Sequence, residues 1–278
     1  MKVTIWGTRG SLPTPGPETT RYGGNTSCVE VRGRDGAVVV LDAGTGIRRL
    51  GGTIGPEVRR VDVLLSHLHL DHIEGLGFFA PLLRRGLEVH IWGPASTTLD
   101  LRARLSRYLS PPIFPVRLRD LPCKLELHDV VGVERFHIGE LELRAELVCH
   151  PGPTVGFRIS EGTASLAYLP DHEPALASIE FPRRPEWTSG FQLAAGADLL
   201  IHDAQYGEVE YADRVGWGHS ALGDALTFAK AAGAARVVPF HYDPGHTDAE
   251  LDSRFDAVRS HSLPFELVPA REGVSFEL

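Results

Sequence analysis

The stretch "SHLHLDH", residues 66–72, sets His67, His69, Asp71 and His72 within six positions at the end of an apolar run. Imidazoles and a carboxylate crowded there lose hydration unless a cation shares their lone pairs. Side chains two apart in an extended segment share a face, so His67 and His69 can hold one ion. Asp71 and His72, beyond the turn, then face a second. Four ligands would overfill one tetrahedral centre that must keep a position for water, and two neighbouring metals relieve the crowding. Further donors must come from elsewhere, and His150, Asp171 and His241 each end an apolar run. Imidazole with carboxylate suits zinc, and manganese or iron fits the same set. Two such ions would lower the pKa of a shared water from about 15.7 to about 7 and neutralise charge on a transferred phosphoryl or acyl group, so hydrolysis is the natural chemistry.

Short β-branched runs separated by turn residues must position these groups: "KVTIW", "SCVEV", "AVVVLDAG", "VDVLLS", "LEVHIWG", "LELRAELVCH", "TVGFRIS", "ASLAYLPD", "ADLLIHDA" and "RVVPFHYD". They read as strands. Helical patterns intervene at 95–109, 219–232 and 247–260, the second with Ser220 as N-cap and Gly233 as its stop. No linker or composition shift divides residues 1–278, which read as one α/β domain with loop decorations near 94–122 and 174–196, where the Pro-rich stretches 111–122 and 181–187 lie. Six polar clusters end strands, at 42, 66, 150, 171, 203 and 241. Layered α/β folds gather their sites at one rim of the sheet, so these ends are expected to converge.

HxHxDH followed by a strand-end His, then Asp, then His resembles the metallo-β-lactamase superfamily over nearly the whole chain, from "GGNTSCVEV" and "LDAGTG" to "HYDP". The resemblance implies an αββα sandwich, two mixed sheets flanked by helices. It implies that His67, His69 and His150 hold one divalent ion, that Asp71, His72 and His241 hold the other, and that Asp171 bridges them. Asp42 is expected to brace the metal loop, and Ser66 with it. Satisfied structural histidines are the alternative, but core packing has no use for imidazole at this density.

"IHDAQYGEVEYADRVGWGHSALGDAL" narrows the branch. It is similar to the phosphodiesterases of the superfamily, ribonuclease Z and cyclic-phosphodiester hydrolases among them, in which a GHS-type His pairs with an acidic residue from an earlier motif. A leaving alkoxide needs a proton, and an imidazole aligned by a carboxylate can supply it. His219 would be the acid, Asp203 its orienter, and a bridging hydroxide the nucleophile. This chain has Asp203 where ribonuclease Z carries glutamate, one methylene longer.

The net charge of −8 argues against a broad basic face for nucleic acid. Residues 73–149 hold no glycine-rich basic arm of the kind ribonuclease Z uses for transfer RNA. They do hold Arg102, Arg104, Arg107, Arg117 and Arg119, which read as a solvated face. A small or cyclic phosphodiester is therefore the expected substrate, with ribonuclease Z-like RNA cleavage and thioester, lactone or β-lactam hydrolysis as alternatives. Iron-dependent oxidation ranks lower because His69 stands where diiron members of the superfamily usually carry glutamate; a noncatalytic binding module would have no need of the full donor set.

Tyr108, Phe114 and the Pro-rich segment read as a packed surface loop, with a base-stacking lid as the alternative, and Asn25, in "RYGGNTS" with Gly23 and Gly24, is expected to contact the site. His172, Asp243 and His246 read as structural neighbours of the donors. "GTRGS" lacks the ending and following helix of a phosphate loop. Cys28, Cys123 and Cys149 show no CxxC spacing, which fits a reducing compartment. "MKVTIWGTRG" has no signal-like apolar core, and no run reaches the ~18 apolar residues of a membrane span. A cytoplasmic protein is expected, with homo-oligomerisation left open.

Overall fold

The computed structural model describes residues 1–174, 184–259 and 262–278. The first five expected strands form as β1 (Lys2–Gly7), β2 (Cys28–Arg32), β3 (Val38–Leu41), β4 (Arg60–Leu64) and β5 (Glu88–Pro94), and two unexpected ones follow, β6 (Lys124–Val130) and β7 (Glu134–Ile138). After them come β8 (Leu141–Leu147), β9 (Val155–Glu161), β10 (Ala164–Leu169), β11 (Leu199–Asp203), β12 (Arg236–Phe240), β13 (Glu266–Leu267) and β14 (Ser275–Glu277). Two mixed seven-stranded sheets result, ordered β14-β1-β2-β3-β4-β5-β6 and β13-β12-β11-β10-β9-β8-β7. Sheet faces rich in Val, Ile and Leu must be covered on both sides. Between the sheets, Val29, Val31, Leu41, Phe157, Ile159, Ile201 and Phe240 are fully buried. Each such side chain contributes roughly 1.5–3 kcal/mol of burial free energy.

The helices are α1 (Ile47–Gly51), α2 (Leu70–Ile73), α3 (Leu101–Leu105), α4 (Phe191–Ala194), α5 (Glu208–Ala212), α6 (Leu222–Ala232) and α7 (Asp248–Arg259). Leu50, Leu101 and Leu105 close the outer face of the first sheet over Val40, Val63 and Ile91. Phe228 and Ala229 of α6 close the second. This is the expected αββα sandwich.

Strand direction decides where chemistry collects. β3, β4, β5 and β6 run parallel, and so do β10, β11, β12 and β13. β8 shares the direction of β10, since each is antiparallel to β9. The carboxyl ends of β3, β4, β8, β10, β11 and β12 are therefore where residues 42, 66, 150, 171, 203 and 241 lie. At that rim the backbone N–H of Val155 donates to the Ser66 carbonyl at 2.8 Å, tying one sheet to the other.

Several local expectations are corrected. The helix expected at 95–109 forms only over 101–105, because Asp100 rather than an earlier residue caps it, its Oδ1 accepting from Ala103 N at 2.7 Å. Ser220 is not an N-cap: α6 starts two residues later behind Ala221, and the Ser220 hydroxyl donates to the His172 carbonyl at 2.6 Å. Gly233 does stop the helix, with φ of 66°. The edge strands β6 and β7 escaped detection because "KLELHDV" and "ERFHI" alternate with charged residues, as sheet edges often do. Residues 175–183, part of the expected decoration at 174–196, and 260 lie outside the described residues. Among the described residues, no helix is long and apolar enough to cross a membrane.

Candidate metal centre

The tight turn after β4 carries His67 and His69 into α2, which presents Asp71 and His72 one helical step later. His150, Asp171 and His241 arrive from the ends of β8, β10 and β12. Donor atoms of His67, His69, His150 and Asp171 lie within 4.8 Å of one another, and so do those of Asp71, His72 and His241. Asp171 stands between the two groups. Its Oδ1 is 3.0 Å from His72 Nε2 and 3.2 Å from His241 Nε2, while Oδ2 is 3.6 Å from His67 Nε2 and 3.7 Å from His150 Nε2. All seven expected donors thus meet.

The far nitrogens of four of the five imidazoles show what the near ones are for. His72 Nδ1 donates to Asp42 Oδ2 at 2.8 Å, His150 Nδ1 to the Gly218 carbonyl at 2.8 Å, and His241 Nδ1 to Gln205 Oε1 at 3.0 Å. His67 Nδ1 meets Ser66 Oγ at 3.0 Å. These bonds fix the tautomers and turn unprotonated Nε2 atoms toward one another, the arrangement that metal-ligating histidines adopt. Facing lone pairs result: His72 Nε2 is 3.2 Å from His241 Nε2, and His150 Nε2 is 3.2 Å from His69 Nδ1. Among the described residues, His67 Nε2 and Asp171 Oδ1 are buried without a hydrogen-bond partner. Such orphaned donors are costly unless a cation takes their lone pairs, so the residues fit two divalent ions.

Electrostatics agree. Burial drives His67 and His150 below the ordinary imidazole range, which keeps them neutral. Burial would also lower His72, yet Asp171, Asp71 and Asp42 around it raise it well above that range. Three carboxylates here demand positive charge, which a bound cation would supply. Burial would raise Asp71, but His72 and His241 hold its carboxyl well below the usual carboxylate range.

Asp42 braces the loop as expected, its Oδ1 accepting from Ser66 N at 2.7 Å and its Oδ2 from the hydroxyls of Ser66 and Tyr168, each at 2.9 Å. Among the described residues the non-glycine positions with positive φ are Ser11 (60°), Asp42 (59°) and His241 (63°), and all three serve this centre. Strain of this kind costs roughly 1–3 kcal/mol each and persists where function over-determines it.

Beside the donors, His219 Nδ1 donates to Asp203 Oδ2 at 2.7 Å, and its ring stacks on His241 with centroids 5.0 Å apart. His219 could join Asp171 and His241 as a ligand. The Asp203 bond consumes its Nδ1, and among the described residues Nε2 has no hydrogen-bond partner. Burial would lower this imidazole, but the Asp203 carboxylate raises it to about 9.

One expectation fails. Asn25 does not face the centre, because Glu272 accepts two bonds from its amide at 3.0 and 2.9 Å. Tyr108 donates to the Glu74 carbonyl and Phe114 packs on Phe78, in keeping with the packed loop and not with a stacking lid. His172 bonds His202 at 2.9 Å, while His246 bonds Glu210 at 2.9 Å and Asp243 accepts from Gly245 N at 2.8 Å, structural roles as read.

Sequence reasoning missed four supports. The "GTRGS" loop sends Ser11 N to Asp71 Oδ2 at 2.7 Å, and its Gly10 lies so close to His241 that a Cβ would sit 2.3 Å from the ring. Gln205 orients His241. Glu173 accepts from Gly216 N and Gly218 N at 2.8 and 2.9 Å, holding the turn that delivers His219. Only Glu173, two residues after Asp171, carried a signal in its position.

Residues 38–242 match the beta-lactamase superfamily domain. The chain belongs to the metallo-β-lactamase superfamily. It is a metal-dependent hydrolase of that family, similar to ribonuclease Z of Haloarcula marismortui (25% identical, covering 99% of this chain and 96% of that one). Ribonuclease Z of Mycobacterium sp. strain KMS is 30% identical over 88% of this chain and 85% of its own length. In fold it matches Zn(2+)-bound PqqB from Methylobacterium extorquens, with TM-score 0.70, 18% identity and full coverage of both chains. The ribonuclease Z relatives support the phosphodiesterase branch over the lactamase branch.

Proposed function

We propose that this chain hydrolyses a small or cyclic phosphodiester at a dinuclear centre, with His219 as the general acid. The observation that carries the reading is the buried His219–Asp203 pair beside the converged donors. A thioester has little use for it, since a thiolate departs without an aligned proton donor, whereas a phosphodiester releases an alkoxide that needs one. His67, His69 and His150 would hold one ion and Asp71, His72 and His241 the other, with Asp171 between them. Two bound divalent ions supply a water ionised near neutral pH and neutralise charge on the phosphoryl oxygens. Zinc suits these donors, and the zinc-bound PqqB fold supports it.

Asp203 holds the Nδ1 proton of His219, so the Nε2 proton is the one given to the leaving oxygen. Three exposed apolar side chains, Leu12, Leu70 and Trp217, lie within two residues of Ser11, His69, Asp71 and His219 and offer the organic part of a diester a surface. The three free cysteines fit a reducing, cytoplasmic setting. A second reading, RNA cleavage like that of the ribonuclease Z relatives, is favoured by their coverage of nearly the whole chain.

The test is His219→Ala in metal-loaded protein, assayed on cyclic nucleotides, bis(p-nitrophenyl) phosphate and precursor transfer RNA. Loss of hydrolysis by about 10²–10⁴-fold with metal content unchanged is expected. Full turnover in the variant would remove the phosphodiesterase reading. Activity confined to precursor transfer RNA would select the second one.

A further inference from the structure

A cavity of about 180 Å³ opens directly beside the donors, walled by His67 and His69 on one side, Ser96 and Arg104 on another, and the turn at Gly152 on a third. Its volume lies below the roughly 300–1,000 Å³ of pockets that take a whole ligand, so it accepts a substituent of a substrate whose reacting group is elsewhere. Arg104 is the cation of its lining. The side chain is only 13% exposed, and its Nη2 donates to the Pro94 carbonyl and, at 3.2 Å, to Asp129 Oδ1. Nε reaches the Asp100 carbonyl at 3.4 Å. Among the described residues Nη1 has no hydrogen-bond partner. A guanidinium held through Nη2 and Nε loses little freedom when it binds an anion, and the two N–H groups of Nη1 remain to donate to a phosphate oxygen. Arg102, Arg107, Arg117 and Arg119 differ: they are exposed and none lines the cavity.

We propose that Arg104 binds a second phosphate adjoining the scissile one, so that the preferred substrates are linear diesters bearing a neighbouring phosphate. The inference rests on the phosphodiesterase reading and deepens it. A cyclic mononucleotide has one phosphate and leaves Arg104 unused, whereas a phosphorylated dinucleotide or an oligonucleotide engages it.

The test compares kcat/KM of metal-loaded protein on the dinucleotide UpU with its terminally phosphorylated forms pUpU and UpUp. Wild type is expected to favour at least one phosphorylated form by about 10- to 100-fold, the scale of a charge-assisted hydrogen bond. Arg104→Met is expected to bring that ratio to within about twofold of unity, and Arg104→Lys to retain an intermediate preference. Equal rates for wild type on all three, a preference that survives in Arg104→Met, or an equal loss on every dinucleotide would each overturn the assignment. The wild-type ratio and the lysine variant decide the matter if the methionine variant does not fold. Hydrolysis of all three dinucleotides at one rate sinks the Arg104 assignment alone. Failure to cleave any dinucleotide or bis(p-nitrophenyl) phosphate sinks the phosphodiesterase reading with it.

Discussion

Asp203 Oδ2 and His219 Nδ1 lie 2.7 Å apart in a buried pocket, and Asp203 is itself clamped by the backbone N–H groups of Gln205 and His172 at 3.0 and 3.1 Å. A carboxylate fixed on several sides can align a ring only one way. Removing its charge while keeping its shape is the direct probe. Asp203→Asn is expected to lower kcat/KM on phosphodiesters by about 10²–10⁴-fold.

The same pair sets a pH dependence. Burial lowers His219 and Asp203 raises it to about 9, so the proton-donating form is present below that value and lost above it. Without the carboxylate, burial is opposed only by the smaller effects of Asp171 and Asp71. The alkaline limb of kcat/KM is therefore expected to move to lower pH in Asp203→Asn, and an unmoved limb would contradict the pairing.

Gly10→Ala should disturb one ion more than the other. A Cβ at residue 10 would lie 2.3 Å from His241 Cε1 and Nδ1, and the ring must shift to make room. The expected result, read by elemental analysis, is loss of about one metal equivalent per chain. Turnover should fall at least ~10-fold with it. Retention of both metals would mean that the loop yields instead.

Asp42→Asn keeps a residue type that tolerates φ near +59° and removes the charge behind His72 together with one of its two accepting oxygens. Metal affinity should drop about 10- to 100-fold in competition with a chelating dye, the usual cost of losing such a partner.

His172 and His202 are fully buried, hydrogen-bonded to each other at 2.9 Å, and both held below the ordinary imidazole value by burial. The unfolded chain then takes up protons below about pH 6.5 that the folded chain refuses, so the stability they contribute is present above that pH and lost as pH falls. Each contributes up to about 1.4 kcal/mol per pH unit to the slope. Thermal melts of His202→Gln between pH 5 and 7 should show a shallower pH dependence than wild type.

Much of this site was legible because the donors are chemically expensive and end strands whose β-branched runs are easily read. His67, His150, Asp171 and His241 stand far apart in the chain, yet parallel strands deliver each to one rim. The supports were not legible. Gln205 and Ser11 act through a side-chain amide and a backbone N–H that no composition rule singles out, and Asn25 misled because Glu272, distant in sequence, takes its amide. Edge strands β6 and β7 were lost to their charges, and the helix expected at 95–109 shrank to the segment Asp100 can cap.

The central claim is that seven side chains hold two cations bridged by Asp171 while His219 stands free as an acid. Anomalous diffraction from metal-loaded crystals tests it most directly. Two peaks are expected, one within coordinating distance of His67, His69 and His150 and one of Asp71, His72 and His241, each touching Asp171. A single peak, or a peak bound to His219, would contradict the account.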